Sequence, residues 1–217
     1  MRLPRLFKSP QSLRGGYIHD LVNRWFDTDE GKALLALEQT LCEQILADMF
    51  GYHLIQLGFG SPYPICKNSP IHHQVYVVEK RVNTDQPLIV SGIDELAIAS
   101  ESVDVAVLHH CLDFTLHPQR VLREVSRVVI PGGRIVIVGF NPWSLWGFWR
   151  LLKNHSADVP WCGRFLSPYR LSDWLSVLDL HVDGYESTQF GVPSASPKIT
   201  GLNEWLADVG SRWWHRL

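Results

Sequence analysis

Five short apolar runs, at residues 53–57, 75–78, 88–90, 103–108 and 135–138, recur through the middle of the chain with helical or turn-rich stretches between them. Runs that stay apolar instead of alternating fit strands buried on both faces, as in a parallel sheet covered by helices. The stretch HPQRVLREVSRVVIPGG, residues 117–133, joins the last two runs. Pro118 suits a first helical turn, Val121, Leu122, Val125 and Val128 make an inward stripe, and Gly132 and Gly133 are the expected stop. Strand, helix and strand thus follow one another, and such a unit crosses over with a right hand. The expected fold is α/β, a doubly wound, mostly parallel sheet that takes ligands at the carboxyl ends of its strands, near the point where strand order reverses.

The flanking segments refine this. Leu34, Leu37, Leu41, Ile45 and Met49 recur at three- and four-residue steps, which predicts a helix over 29–49 with Thr28 as N-cap and Gly51 as stop. Residues 1–16 read as a flexible arm, and 17–217 as a single domain with neither repeat nor linker. Only about eight residues separate Glu79 from the third run, fewer than the dozen or so that a helical crossover needs, so one crossover helix is expected to be missing. A helix over 169–178 and a strand over 180–186 follow, then a Trp-rich amphipathic segment over 202–214. No second β-like run appears after 186, because 191–200 is rich in Pro and Ser; the sheet is expected to lack its last strand. An unpaired edge together with Trp213 and Trp214 favours a homo-oligomer.

Composition excludes several classes. With 20 Lys plus Arg against 22 Asp plus Glu, the chain exerts no bulk electrostatic pull on nucleic acid. Four scattered cysteines without CxxC spacing argue for reduced thiols in a cytoplasmic protein. The basic start MRLPRLFKSPQSLRGG is followed by no apolar stretch of the secretory kind, and no segment reaches the roughly 18 apolar residues of a membrane span.

Several residues have the types and spacing of a nucleotide site. Gly58 and Gly60 form a turn after the first strand, where a side chain would block a cofactor's approach to the backbone; two such glycines also occur in ordinary turns. Glu79 ends the second strand about 20 residues later, where a Rossmann-like fold places the acid that binds ribose hydroxyls, with a surface carboxylate as the alternative. Pro62, Pro64 and Pro70 make a regular helix after the turn improbable. His109 and His110 follow the fourth strand, and an imidazole there suits a general base or a simple hydrogen-bonded strand end. If the strand continued through both, they would point to opposite sides. A metal site from His72, His73, His109, His110 and Cys111 is not expected, since their spacing is no recurrent ligand pattern.

Residues 102–142, SVDVAVLHHCLDFTLHPQRVLREVSRVVIPGGRIVIVGFNP, closely resemble the type-11 methyltransferase family. The resemblance rests on Leu112 with Asp113, on Leu122, Glu124 and Arg127 in a Leu-x-Glu-x-x-Arg run, and on Pro131 to Gly133. Asn141 to Gly147 resembles a small bacterial branch of that family carrying Asn-Pro-x-Ser-Leu-Trp-Gly. A Rossmann-like class I methyltransferase fold with S-adenosylmethionine as cofactor is implied. Gln56 then stands where the family has an acid before the glycines, and Pro62 replaces the third glycine. The run Gly92 to Leu96 resembles the family's loop flanking adenine, with Asp94 or Glu95 left to accept from the adenine amino group or else to lie in a solvated turn, and Leu96 beside them. His109 and His110 fall where the family faces sulfonium and acceptor.

Three functions fit this pattern. Methyl transfer to a small or lipophilic acceptor leads; a degenerate domain serving as a binding or scaffolding module is the first rival. A dinucleotide-dependent oxidoreductase would leave the 102–142 match unexplained. In NPWSLWGFWRLL, residues 141–152, a helix begun near Pro142 would set Trp143, Trp146 and Trp149 three apart on one face, with Arg150 at its edge. That stripe is expected to form an apolar lid, with peripheral membrane contact as a possibility, or else to plug the core.

Overall fold

The computed structural model describes residues 15–58, 63–144, 146, 147 and 159–186. Five strands, β1 (His53–Gly58), β2 (His73–Val78), β3 (Leu88–Val90), β4 (Val103–His109) and β5 (Val129–Val138), form one sheet in the order β3-β2-β1-β4-β5. Every pairing is parallel. The order reverses between β1 and β4, and the register there sets Gly58 beside His109. A ligand crevice belongs at the carboxyl ends of this pair.

The helices with described bounds are α1 (Gly15–Phe26), α2 (Asp29–Leu46), the short α3 (Cys111–Phe114), α4 (Pro118–Val128) and α5 (Pro168–Ser176). Ile55, Leu57, Val77, Ala106 and Leu108 pack with Ile18, Val22 and Phe26 of α1 and the apolar stripe of α4. Leu54, Val105, Val107 and Val136 form a second cluster with Cys42 and Leu46 of α2 and with Ile65, Cys66 and Ile71. All four cysteines are buried.

Helix α1 was not expected. Its buried Ile18, Val22 and Phe26 recur every fourth residue, but Gly15 and Gly16 at its start read as arm; residues 1–14 lie outside the described residues. Thr28 caps α2 as expected, accepting from the Gly31 N–H at 3.2 Å. The helix ends at Leu46, short of Met49, and its buried face is Gly31, Leu34, Glu38, Cys42 and Leu46. Leu37, Leu41 and Ile45 are only half-buried. Gly31 fixes that rotation: a Cβ on it would lie 2.2 Å from the Trp25 carbonyl oxygen and 2.6 Å from the Phe26 Cα, so only glycine lets α2 turn back against α1.

Helix α4 stops at Val128 and passes straight into β5, so Gly132 and Gly133 lie within the strand and do not end the helix. Gly132 adopts φ +80°, and the register with β4 shifts between Val103 and Val105, as in a bulge. Residues 79–87 contain no helix, in keeping with the short crossover, and 63–72 contain only turns and irregular chain. The strand expected over 180–186 does not form. Gly184 interrupts that run, Val182 and Tyr185 stay 48% and 75% exposed, and the contact with β5 is a side-chain ion pair between Arg134 and Asp183. The missing last strand and the segment 202–214 concern residues outside those described. No helix among the described residues is long and apolar enough to cross a membrane.

Candidate functional site

At the switch point β4 ends abruptly. His110 adopts a left-handed backbone, φ 52° and ψ 12°, so the strand stops at His109 and the alternation that would separate the two rings is broken. Both rings turn to one carboxylate, Glu38 of α2. Its Oε2 lies 2.9 Å from His109 Nε2 and its Oε1 2.8 Å from His110 Nε2. Asp113 of α3 lies 2.8 Å from His110 Nδ1 and accepts from the Phe140 N–H at 3.2 Å. All four ionisable residues are buried, and the Phe26 ring packs against both imidazoles at 5.6 and 5.8 Å.

The charges within this chain of contacts follow from competition between burial and neighbours. Burial alone would raise Glu38, but the His110 and His109 rings outweigh it and hold its carboxyl at about 2. An ionised Glu38 can only accept, so both Nε2 atoms carry protons. For His110, burial disfavours the cation, yet Glu38 and Asp113 on either side push it up to about 10. It is an imidazolium donating through both nitrogens. For His109 burial prevails and moves it down, leaving a neutral ring whose Nδ1 keeps its lone pair. Burial also pushes Asp113 up, against the pull of His110.

Glu38, His109 and His110 also have the makeup of a cation site, with ligand atoms within 4.8 Å of one another. Zinc holds such ligands at about 2.0–2.2 Å and would need them drawn closer. Hydrogen bonding already occupies both carboxylate oxygens. Glu38 had no place in the sequence-derived site; its signal was the four-residue step from Leu34 to Cys42, which places it on the inward face.

The cofactor candidates lie along the same edge of the sheet. Gln56 is buried on β1; its Nε2 donates to the Tyr63 carbonyl at 2.6 Å, while its Oε1 is a buried side-chain atom with no partner among the described residues. Gly58 has no positive φ, and a Cβ built on it would meet nothing nearer than the His109 carbonyl oxygen at 4.0 Å, so the described fold does not itself require glycine there. Gly60 and Pro62 lie outside the described residues. Glu79, the first residue past β2, has Oε2 2.6 Å from His19 Nε2.

Gly92 and Glu95 close a turn after β3, with the Glu95 N–H bonded to the Gly92 carbonyl. Asp94 pairs with Arg120 at 3.5 Å, whereas Glu95 is exposed. Leu96 is buried, and its peptide is held from both sides: Glu124 accepts its N–H at 3.1 Å and Arg127 donates to its carbonyl at 3.2 Å. Arg127 also donates to the Ile98 carbonyl and the Ser100 hydroxyl. The Leu-x-Glu-x-x-Arg run is thus a clamp on the loop after β3, a role its spacing alone did not disclose.

The tryptophan stripe divides. Ser144 caps a turn by accepting from the Gly147 N–H, so Trp143 precedes the helical residues and is 72% exposed, while Trp146 is buried. The Trp146 ring stacks on Phe140 at 5.8 Å and meets Trp25 and Trp161, so it plugs the core. Trp149 and Arg150 lie outside the described residues.

Comparison with known proteins agrees with the fold. Residues 56–137 match the family described as a methyltransferase domain. The chain is 36% identical over 163 residues to the uncharacterized protein YafS of Escherichia coli (strain K12), a match covering 73% of this chain and 65% of that relative's length. One similar solved structure is a chain of the complex between the Haloferax volcanii Trm112 methyltransferase activator and a methyltransferase. It has a TM-score of 0.61 and 17% identity over 83% of this chain and 85% of that one. Another is an S-adenosylmethionine-dependent methyltransferase of Thermotoga maritima, with TM-score 0.55 and 18% identity over 76% and 77% of the two chains. At these identities the structural likeness is one of fold.

Proposed function

We propose, on the premise that residues 56–137 are a class I methyltransferase domain of the type-11 family, that the chain transfers a methyl group from S-adenosylmethionine to a small or lipophilic acceptor. The observation that carries this reading is the buried Oε1 of Gln56, which has no partner among the described residues and lies two residues before the end of β1 at the switch point. A buried acceptor without a donor costs about 1–3 kcal/mol, and a ligand ammonium, such as that of the cofactor's amino-acid end, relieves the cost. Gly58, two residues on, brings no side chain against that ligand.

Bound there, the cofactor supplies a methyl group already activated on a sulfonium, so the chain need only bind, align and exclude water. Gln56 takes the ammonium, Glu79 the ribose hydroxyls, Leu96 the flat adenine face, and Asp94 or Glu95 the adenine amino group. Of the two histidines, His109 is the candidate base, since it is neutral and keeps a lone pair on Nδ1, whereas His110 is held protonated. Phe140 packs on the His110 ring at 4.3 Å and stacks with Trp146 and Phe165, and these rings keep water from the imidazoles. The competing reading, a binding or scaffolding module, draws on the Glu79 contact with His19.

Isothermal titration with S-adenosylmethionine and S-adenosylhomocysteine tests the proposal. Micromolar binding is expected for the native chain and none for Gly58→Val, whose melting temperature should stay within a few degrees because the added Cβ makes only an ordinary contact, 4.0 Å from the His109 carbonyl oxygen, with the described residues. No binding by the native chain up to millimolar ligand would leave the module reading.

A further inference from the structure

Helix α1 buries Ile18, Val22 and Phe26 in the core, and beside Ile18 it also buries a polar residue, His19, at 5% exposure. Taking an imidazole out of water costs free energy unless its nitrogens are bonded. Its Nε2 reaches Glu79, 60 positions away, at 2.6 Å, a short hydrogen bond. The two partners differ in access: the His19 side chain is 6% exposed and that of Glu79 31%. One oxygen of Glu79 is therefore held by a buried, helix-anchored ring, while Oε1 accepts no hydrogen bond from any described residue.

A carboxylate that grips a pair of vicinal hydroxyls must hold its plane in one orientation, and a glutamate left alone loses side-chain entropy to do so. A fixed partner on one oxygen removes that cost before the ligand arrives. We infer that His19 is a positioning residue for the cofactor: it orients Glu79 so that the remaining oxygen meets the ribose diol, making α1, which precedes the matched domain, part of the cofactor site. The inference rests on the methyltransferase reading and on Glu79 as its ribose ligand. The opposite arrangement, a latch in which His19 occupies the carboxylate and must leave, predicts the reverse effect on affinity.

The test is titration of native chain, His19→Leu, His19→Gln, Glu79→Ala and the Glu79→Ala, His19→Leu pair with S-adenosylhomocysteine and its 2′-deoxy counterpart. Thermal melts serve as the folding control. Positioning predicts that His19→Leu weakens S-adenosylhomocysteine binding about tenfold, barely changes binding of the 2′-deoxy ligand, and adds nothing when Glu79 is already Ala. His19→Gln, which keeps a donor at similar reach, should restore most of the affinity. Equal loss for both ligands would make His19 merely structural, unchanged binding in His19→Leu would remove it from the cofactor site, and tighter binding would establish the latch; each of these overturns the inference. His19→Gln reports independently should His19→Leu not fold. A native chain that binds neither ligand overturns the cofactor reading itself, whereas binding without dependence on Glu79 overturns only the positioning role.

Discussion

Replacing Glu38 by alanine removes the one carboxylate on which two buried imidazoles close. The native contacts are 2.9 Å to His109 and 2.8 Å to His110, all three residues are less than a tenth exposed, and His110 carries a charge. Deleting one partner of a buried ion pair costs about 3–5 kcal/mol, because the remaining charge keeps its desolvation penalty without its compensation. For a chain of this size each kcal/mol lowers the melting temperature by about 2–4 °C, so Glu38→Ala should melt about 6–20 °C lower than native. Urea unfolding followed by tryptophan fluorescence measures the difference directly, with Gln44→Ala on the exposed face of α2 as control. The pH dependence supplies a second signature. His110 is raised to about 10 from an unfolded value near 6.5, so its stabilisation is complete below about pH 6.5 and is lost as pH climbs through 10. Glu38, held at about 2, contributes fully above its ordinary value of 4.5, so both contributions are present near pH 6. Native stability should therefore fall between pH 6.5 and 10, and Glu38→Ala should flatten much of that slope. A variant within about 1 kcal/mol of native at pH 6, or one with the native slope intact, would refute the charge assignment.

Two other substitutions test neighbouring parts of the fold. Arg127→Ala strips donors from Leu96, Ile98 and Ser100 and should cost about 1–3 kcal/mol in urea unfolding, with weaker S-adenosylhomocysteine binding because Leu96 loses its hold; unchanged affinity would separate the clamp from the cofactor. Trp146→Ala should destabilise by about 3–5 kcal/mol as a buried ring is lost, whereas the exposed Trp143→Ser should stay within about 0.5 kcal/mol; equal costs would place the two rings in similar surroundings.

The elements that sequence reading located are those in which local chemistry and burial agree. Pro118 before an apolar stripe starts α4, Thr28 caps α2, and uninterrupted Val, Ile and Leu runs become strands because the doubly covered sheet needs both faces apolar. Misreadings occur where a distant partner decides. The run at 180–186 has an alternating look, but a strand there must complete a ladder and bury Val182 and Tyr185, and it does neither. The stripe on α2 was displaced because Gly31, chosen by contact with Trp25 and Phe26, rotates the helix. Glu38 escaped notice for the same reason: a glutamate on a helix is ordinarily solvated, and only the convergence of His109 and His110 through a left-handed residue turns it into a buried acceptor.

That convergence also says which part of the chain gives the site its character. The matched domain spans 56–137 and contributes the switch point, Gly58, Glu79, His109 and His110. The groups that hold those side chains come from before it: Glu38 of α2 fixes both imidazoles, and His19 of α1 fixes Glu79. Phe26 covers both rings, and Trp25 continues the packing onto Phe140 and Trp146. A common sheet with glycine at one strand end thus supports a general chemistry, while Glu38, delivered from α2, sets the charge of the imidazoles at the end of β4, and His19, delivered from α1, contacts Glu79 at the end of β2. Specificity within such a fold is then sought in α1 and α2 as much as in the loops after the strands, because Glu38 and His19 are the groups that contact the side chains at those ends.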